Sequence, residues 1–389
     1  IDKAVNSIFN DTDNIKPSEH YIEKLTIDVF GFSRGAATAR YAIHVIKDGR
    51  IAYVDNDTGQ VVYEWEPVVS RLNDFNYVTK GKAVEVGFAG LYDTVLSYIG
   101  SQWVSWTANT LKQKAVSRAN KALHLAAADE HRSDLPLHKI KGAIDAGGGE
   151  EYYLPGVHSD IGGSYNQANE LQLERQSKAG LKEEDKEYVR SSDEGNLDIN
   201  ADIKTDWKGK IIDNGMIINV GAPKRIAKDR QDLIDQGWYK ENEILAEEVE
   251  WDEDTFEPTE SILMVSRQGI SSAYSNIPLK IMARYARKPD VKLTIDDKLE
   301  DRADVILKPE TELKDFAEKL DDYIDSHKNT SKPEDWVGEN AFKEYPELKE
   351  IRHKHFHFSA SKMSAGYKPN FEWDDAKNKF IRKRYYYNA

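Results

Sequence analysis

Residues 26–40, TIDVFGFSRGAATAR, decide the reading of this chain. Thr26 to Phe30 read as a buried strand, with apolar residues running up to Gly31. Gly31-Phe32-Ser33-Arg34-Gly35 follows, and then a small-residue helix start, AATARYAIHVI. Strand, sharp turn and helix are the context that a G-x-S-x-G nucleophile elbow requires. Such a turn is tight enough that side chains two residues from the serine must be absent, which accounts for Gly31 and Gly35. It lifts the Ser33 hydroxyl clear of the sheet, above the N-terminus of the next helix. There the free backbone N–H groups and the helix dipole favour developing negative charge. The N–H of Arg34, directly after the serine, is the expected oxyanion donor.

Composition narrows the setting. The 389 residues suffice for one large domain or two modest ones. Hydrophobic residues make up 39% and charged residues 31%, so a globular chain with a very polar surface is expected. The net charge of −14 argues against a nucleic-acid partner and against simple electrostatic attachment to anionic lipid. With no cysteine, disulfides, thiolate metal sites and a thiol nucleophile are excluded. No apolar run is long enough to span a bilayer, and no secretory signal peptide is present. A chain that begins with Ile1 is read as lacking an N-terminal piece.

Strands and helices alternate along the first part of the sequence. Residues 51–66 form a hairpin pattern around Asp57-Thr58-Gly59, and 83–99 open with a second apolar strand that ends in a loop carrying Asp93. Residues 101–130 read as helical, and 139–157 as two strands around a glycine turn. The pattern predicts an α/β fold with a mainly parallel sheet flanked by helices. Residues 167–210 are polar and nearly free of large apolar side chains, as in a surface insertion, partly helical over Glu170–Val189. Residues 226–250 read as a charged helical segment, 261–287 return to apolar periodicity, and Thr311–His327 form an acidic helix.

A serine nucleophile needs a base, and the base needs an orienting acid. Of ten histidines, His44, His124 and His131 fall inside predicted helices, and His20 precedes the elbow. His158 sits in LPGVHSDIGG, a loop bracketed by proline and glycine just after a strand, which suits a base. The acid is Asp93 or Asp160. Asp93 is preferred, because an acid on a separate strand end faces the imidazole from behind. Asp160 is expected to pin the His158 loop through backbone N–H groups. His353, His355 and His357 alternate and would share one face of a strand, yet no carboxylate pattern completes a metal site, so no metal is expected. Neither G-x-G-x-x-G nor a P-loop is present, and no cofactor is expected. Tyr98, Ile99, Trp103, Val104 and Trp106 form a lid or interfacial element, or else the buried face of a core helix.

The segments DVFGFSRGAATAR (28–40), VGFAGLYDTVLS (86–97), ALHLAAADEHR (122–132), LPGVHSDIGGSY (154–165), DLIDQGWY (232–239) and GISSAYSNIPLKIMARYA (269–286) resemble a known family. That family is the α/β-hydrolase phospholipase effectors of the bacterial type VI secretion system, the first of its lipase-effector families. Along the chain, an α/β-hydrolase core is expected over 1–166, a polar, partly helical insertion or lid region over 167–260, and core-packing helices with a C-terminal segment over 261–389. The resemblance implies a triad of Ser33, Asp93 and His158 and hydrolysis of acyl esters of membrane phospholipids at the sn-1 or sn-2 position. It further implies a toxin injected into the periplasm of competing bacteria, with a secretion-spike or adaptor partner and a cognate immunity protein. One departure stands out: the family's early strand and D-G-T-x-N-like turn find only a faint echo in Asn10–Asn14. Two competing readings are a soluble carboxylesterase or thioesterase with the same triad, and a non-catalytic interaction module.

Overall fold

Strand β1 (Leu25–Phe32) passes through Ser33 into α1 (Arg34–Asp48). Its buried Ala36, Ala39 and Ile43 bring the helix close against the sheet. The structure, a computed structural model, describes residues 24–48, 50–54, 61–65, 84–96, 112–164, 203–205, 211–213, 216–219, 223–251, 258–265, 267–268, 270–308, 310–358, 370–374, 376–377 and 379–388. After α1 come a hairpin of β2 (Arg50–Val54) and β3 (Val61–Trp65), then β4 (Val84–Tyr92). A 3-10 turn, Gln113–Arg118, leads into β5 (Ala119–Ala127). β6 (Leu137–Lys139), α2 (Lys141–Asp145), β7 (Gly149–Leu154) and α3 (His158–Gly162) complete this part.

Strands β1, β4, β5 and β7 lie side by side in that order, all parallel. Side chains alternate across it, as strand geometry demands, except where the register shifts in β4 between Val86 and Ala89. Val86, Ala89, Leu91 and Ala122 pack on α1. Phe88, Leu123, Leu125, Tyr152 and Leu154 face the opposite layer. Both faces of β4, β5 and β7 are therefore covered, which is where a parallel sheet is stable, whereas β1, expected to be buried, is only half-buried, with Phe30 exposed. The expected α/β architecture, a mostly parallel sheet flanked by helices, is what the chain adopts.

Beyond the sheet, the short strands β8 (Ile203–Thr205), β9 (Ile211–Asp213) and β10 (Met216–Asn219) precede α4 (Pro223–Asp235). β11 (Ile244–Trp251), β12 (Pro258–Val265) and β13 (Arg267–Gln268) follow, with β10, β12 and β11 forming an antiparallel sheet. The opposite layer is then built by α5 (Asn276–Ala286), α6 (Asp297–Leu307), α7 (Thr311–Ser326), α8 (Glu339–Glu344) and α9 (Leu348–His355). In α7, Leu313, Phe316, Leu320 and Ile324 are buried at helical spacing, which makes an acidic helix amphipathic. β14 (Phe371–Asp374) pairs with β15 (Lys379–Arg382). β16 (Tyr386–Asn388) returns to pair parallel with β6. Among the described residues no helix is long and apolar enough to cross a membrane.

The structure corrects several expectations. Residues 119–127 are a strand, not a helix, so His124 lies on β5 and His131 in the loop after it. Alanine and leucine favour helix, but pairing on both sides with β4 and β7 decides the outcome. The stretch 139–157 contains a short helix as well as β7. The 226–250 segment is α-helical only as far as Asp235, Gly237 just beyond it takes φ +80°, and 244–251 is strand. Gly31 and Gly35 are not equivalent. A Cβ at Gly31 would drive into the backbone of Gly35 and Ala36, whereas a Cβ at Gly35 meets nothing within 4 Å. The lid candidates Tyr98, Ile99, Trp103, Val104 and Trp106, the Asp57–Gly59 turn, residues 10–14 and most of 167–210 lie outside the described residues.

Two outcomes follow. Gly31→Ala is expected to cost about 2–3 kcal/mol through overpacking against backbone that cannot yield. Gly35→Ala, inside α1, is expected to be neutral or to stabilise by up to about 1 kcal/mol. Urea midpoints of the two variants check this; equal losses at both positions would contradict it. The second concerns pH. Burial holds His131 at about 4, His138 at about 3 and His355 at about 4, below the ordinary histidine value. The unfolded chain therefore binds more protons than the folded one once pH falls below about 6.5. The stability from these neutral imidazoles is complete above that pH and is lost as pH falls towards 4. The denaturation midpoint is expected to drop between pH 7 and pH 5, and a midpoint that stays flat across that range would contradict the assignment.

Candidate active site

Ser33 sits at the turn between β1 and α1 with φ +59°, a conformation that costs a non-glycine residue energy. The turn is held from both sides. The Ser33 N–H donates to the Tyr92 carbonyl at the end of β4 (3.0 Å). Its carbonyl accepts from the N–H groups of Ala36 (3.1 Å) and Ala37 (3.3 Å), which starts α1. Arg34 occupies the first helical position, where a backbone N–H has no intrahelical acceptor. Its side chain is exposed.

Asp93 follows β4, also at positive φ (+40°), with its N–H on the Leu125 carbonyl (2.8 Å). The next residue anchors this loop to the far face of the sheet. Arg40 of α1 donates to the Thr94 hydroxyl (3.0 Å) and to the His138 carbonyl (2.6 Å). The Thr94 N–H donates to His124 Nε2 (3.1 Å), and His124 Nδ1 lies 2.9 Å from Glu151. The Asp93 carboxylate itself is fully buried and saturated with donors. Oδ1 accepts from the Ala127 N–H (2.9 Å) and from Arg384 (2.6 Å). Oδ2 accepts from Arg384 (2.7 Å) and lies 2.5 Å from His158 Nδ1.

His158, expected in a loop, instead opens the short helix α3 directly after the Pro155-Gly156 turn. Its Nε2 lies 2.8 Å from the Ser33 hydroxyl oxygen, so the three side chains form one continuous hydrogen-bonded line. The partners assign the tautomer: Nδ1–H towards the Asp93 carboxylate, and the Nε2 lone pair towards the serine O–H. The ring is wedged against Phe32 (centroids 4.5 Å apart), and a Cβ at Gly162 would collide with that phenyl ring. Its backbone N–H donates to Glu130 (3.2 Å), which is paired with Arg132 through two side-chain bonds (2.9 and 2.7 Å).

The electrostatics follow from burial. Desolvation lowers the affinity of His158 for a proton, and the adjacent Asp93 only partly restores it, so the imidazole stays below its ordinary value. Burial by itself would raise Asp93, but Arg384 and His158 outweigh it and hold the carboxyl well below the usual carboxylate range. Glu130 is held down in the same way by Arg132. A neutral imidazole backed by an ionised carboxylate can take a proton from Ser33 and hold the resulting charge.

Asp160 stands apart from this line. Its Oδ2 accepts from the N–H groups of Val157 (2.9 Å) and His357 (3.1 Å), and its Oδ1 lies 2.7 Å from His357 Nδ1. It ties the His158 loop to the segment after α9. The alternating histidines do not share a strand face: His353 and His355 end α9 and His357 follows it. His353 faces Glu243 (2.9 Å) and His357 faces Asp160, so the three imidazoles diverge. Glu310, Glu312 and His355 offer ligand atoms within 4.8 Å of one another, with the Lys354 ammonium already donating to Glu312 (3.1 Å).

Sequence reasoning missed Arg384, Glu130 and Arg132. Glu130 and Arg132 lie within ALHLAAADEHR, whose reading as helix hid their place at the end of a central strand. Arg384 carries no local mark: it is one cation in RKRYYYN, 291 residues from Asp93.

Residues 17–182 match the family described as "T6SS, Phospholipase effector Tle1-like, catalytic domain". A search of curated proteins finds no match. Among solved structures, the chain is similar to the Tle1 effector bound to the VgrG spike from the type VI secretion system. That similarity has 18% identity and a TM-score of 0.50, and covers 95% of this chain and 68% of that one. An uncharacterized protein from Pseudomonas aeruginosa is 24% identical over 36% of this chain and 19% of its own, with a TM-score of 0.23. The last likeness is too slight to argue from, and the one before it speaks for the fold. The family match covers Ser33, Asp93 and His158, so these three residues lie in the part of the chain that is similar to Tle1-like phospholipase-effector catalytic domains.

Proposed function

We propose that the chain is a serine-dependent phospholipase of the A1 or A2 type that hydrolyses acyl esters of bacterial membrane lipids. The observation that carries the reading is the unbroken line Ser33 Oγ–His158–Asp93, at 2.8 and 2.5 Å, in a segment that matches a phospholipase-effector domain.

His158 Nε2 takes the Ser33 proton as Ser33 Oγ attacks the acyl carbonyl. The oxyanion is held by the Arg34 N–H at the start of α1, where orphan donors and the helix dipole favour negative charge. The imidazolium, stabilised by Asp93, gives its proton to the departing lysophospholipid oxygen. Water, deprotonated by the same imidazole, then releases the fatty acid and restores Ser33. Asp160 supports this chemistry indirectly, by holding the His158 loop. Trp103 and Trp106 are proposed to meet the lipid.

The biological setting is proposed with it: an antibacterial effector carried by a secretion spike, acting in the periplasm of the target cell, with an immunity protein protecting the producer. The spike partner is suggested by the similar Tle1 structure, which is bound to VgrG. No metal or cofactor takes part in this scheme.

Fatty-acid release from phosphatidylethanolamine/phosphatidylglycerol vesicles, with distinguishable acyl chains at the two positions, tests the reading. Ser33→Ala and His158→Ala are each expected to lose roughly 10⁴-fold or more in kcat, and the chain released assigns A1 or A2. The acid limb of kcat/KM is expected below pH 6.5, because burial lowers His158. Cleavage of short monomeric esters without release from vesicles would point instead to a soluble esterase. Undiminished release by Ser33→Ala would overturn the mechanism.

A further inference from the structure

Arg384 lies outside the matched catalytic domain, yet it holds the carboxylate on which His158 rests. Its guanidinium grips Asp93 through both oxygens, at 2.6 and 2.7 Å, the fork-to-fork geometry that fixes a carboxylate in one plane. The Arg384 Nε–H donates to the Leu135 carbonyl (2.8 Å), which sets the height of the fork. The strand that delivers it is anchored without it. The Leu137 N–H donates to the Tyr385 carbonyl (2.8 Å), β16 pairs with β6, and Tyr387 stacks on His138 at 5.0 Å.

The charges around His158 close on themselves. Asp93 follows β4, Glu130 and Arg132 lie in the loop after β5, and Arg384 precedes β16; the two carboxylates and two guanidiniums cancel. Of the other buried acids, Asp129 is paired with Arg352 and accepts from the Gly156 N–H, while Asp160 faces His357 and the Val157 N–H, apart from the Asp93–His158 line. With His158 neutral, the group formed by Asp93, Glu130, Arg132, Arg384 and His158 carries no net charge. If Arg384 were removed, the cluster would carry one excess negative charge; His138 also feels the Arg384 charge, but His158 is the imidazole hydrogen-bonded to Asp93 and so the group placed to offset it by binding a proton. A base already protonated cannot accept the serine proton.

We propose that Arg384 is a positioning residue of the hydrolytic site: its guanidinium fixes the Asp93 carboxylate behind His158 and balances its charge, so that the imidazole is neutral at rest. The inference rests on the serine-hydrolase reading for its consequence in catalysis, but its effect on His158 can be read without turnover. A segment about 200 residues beyond the matched domain thereby completes that domain's active site.

The test titrates His158 by nitrogen NMR in the full chain carrying labelled histidine, with the signal assigned from His158→Gln. In Arg384→Met the His158 titration is expected to move up by roughly one pH unit. In Arg384→Lys, which keeps the charge but not the fork, it is expected to stay near the wild-type position. On an ester substrate the acid limb of kcat/KM should move up with the titration in Arg384→Met. In Arg384→Lys kcat should fall about tenfold or more with KM little changed. An unshifted or lowered His158 titration in folded Arg384→Met overturns the proposal. Should that variant fail to fold, Arg384→Lys decides: wild-type kcat overturns the proposal, and a tenfold loss with an unshifted titration supports it. Wild-type turnover no greater than that of Ser33→Ala would overturn the hydrolase reading instead, while the NMR titration would still judge Arg384.

Discussion

A carboxylate buried away from water must have its lone pairs filled and its charge answered. Asp93 is such a group, and much of the local architecture can be read as the way this chain meets that demand. Ala127 at the end of β5 supplies a backbone donor, His158 at the start of α3 a ring N–H, and Arg384 before β16 a two-pronged cation. These groups come from well-separated parts of the sequence and meet beyond the carboxyl ends of β4, β5 and β7. That is where open parallel sheets place their sites. Loss of any one donor leaves an expensive group behind, so the constraint serves folding and chemistry together.

The same parsimony appears on the other side of the line. Ser33 is held at an unfavourable φ by bonds to Tyr92, Ala36 and Ala37, and Gly31 leaves room for the turn to close. Arg40, Thr94, His124 and Glu151 form a buried polar chain beneath the Asp93 loop, tying it to α1, β5 and β7. Both ends of the hydrogen-bonded line are thus fixed by backbone, which leaves the imidazole between them little freedom. A rigid line costs less reorganisation when the proton moves.

How much of this was legible depended on whether the cause was local. The elbow and the PGVHSDIGG loop are legible because local geometry dictates Gly31, Gly156 and Gly163, and the side chains of the two segments do come together in space. β5 was misread because ALHLAA suits a helix by propensity; its burial between β4 and β7 is a tertiary fact. The histidines at 353, 355 and 357 alternate, and that alternation suggested a strand. The burial of Leu348, Ile351, Arg352 and His355 follows the helical period instead. Gly35 was assigned a steric duty that Gly31 alone carries. Arg384 was invisible because nothing within its own segment distinguishes it from Arg382 or Lys383; its role exists only once β16 reaches β6.

The claim on which the proposed function stands is that Ser33 is nucleophilic because His158 is a neutral base aligned on it. Covalent trapping with a fluorophosphonate, located by peptide mass spectrometry, tests that most directly. Modification confined to Ser33, rising with pH as His158 loses its proton and abolished in His158→Ala, is the expected result. Failure of the folded wild-type chain to react, or label on another residue, would contradict it.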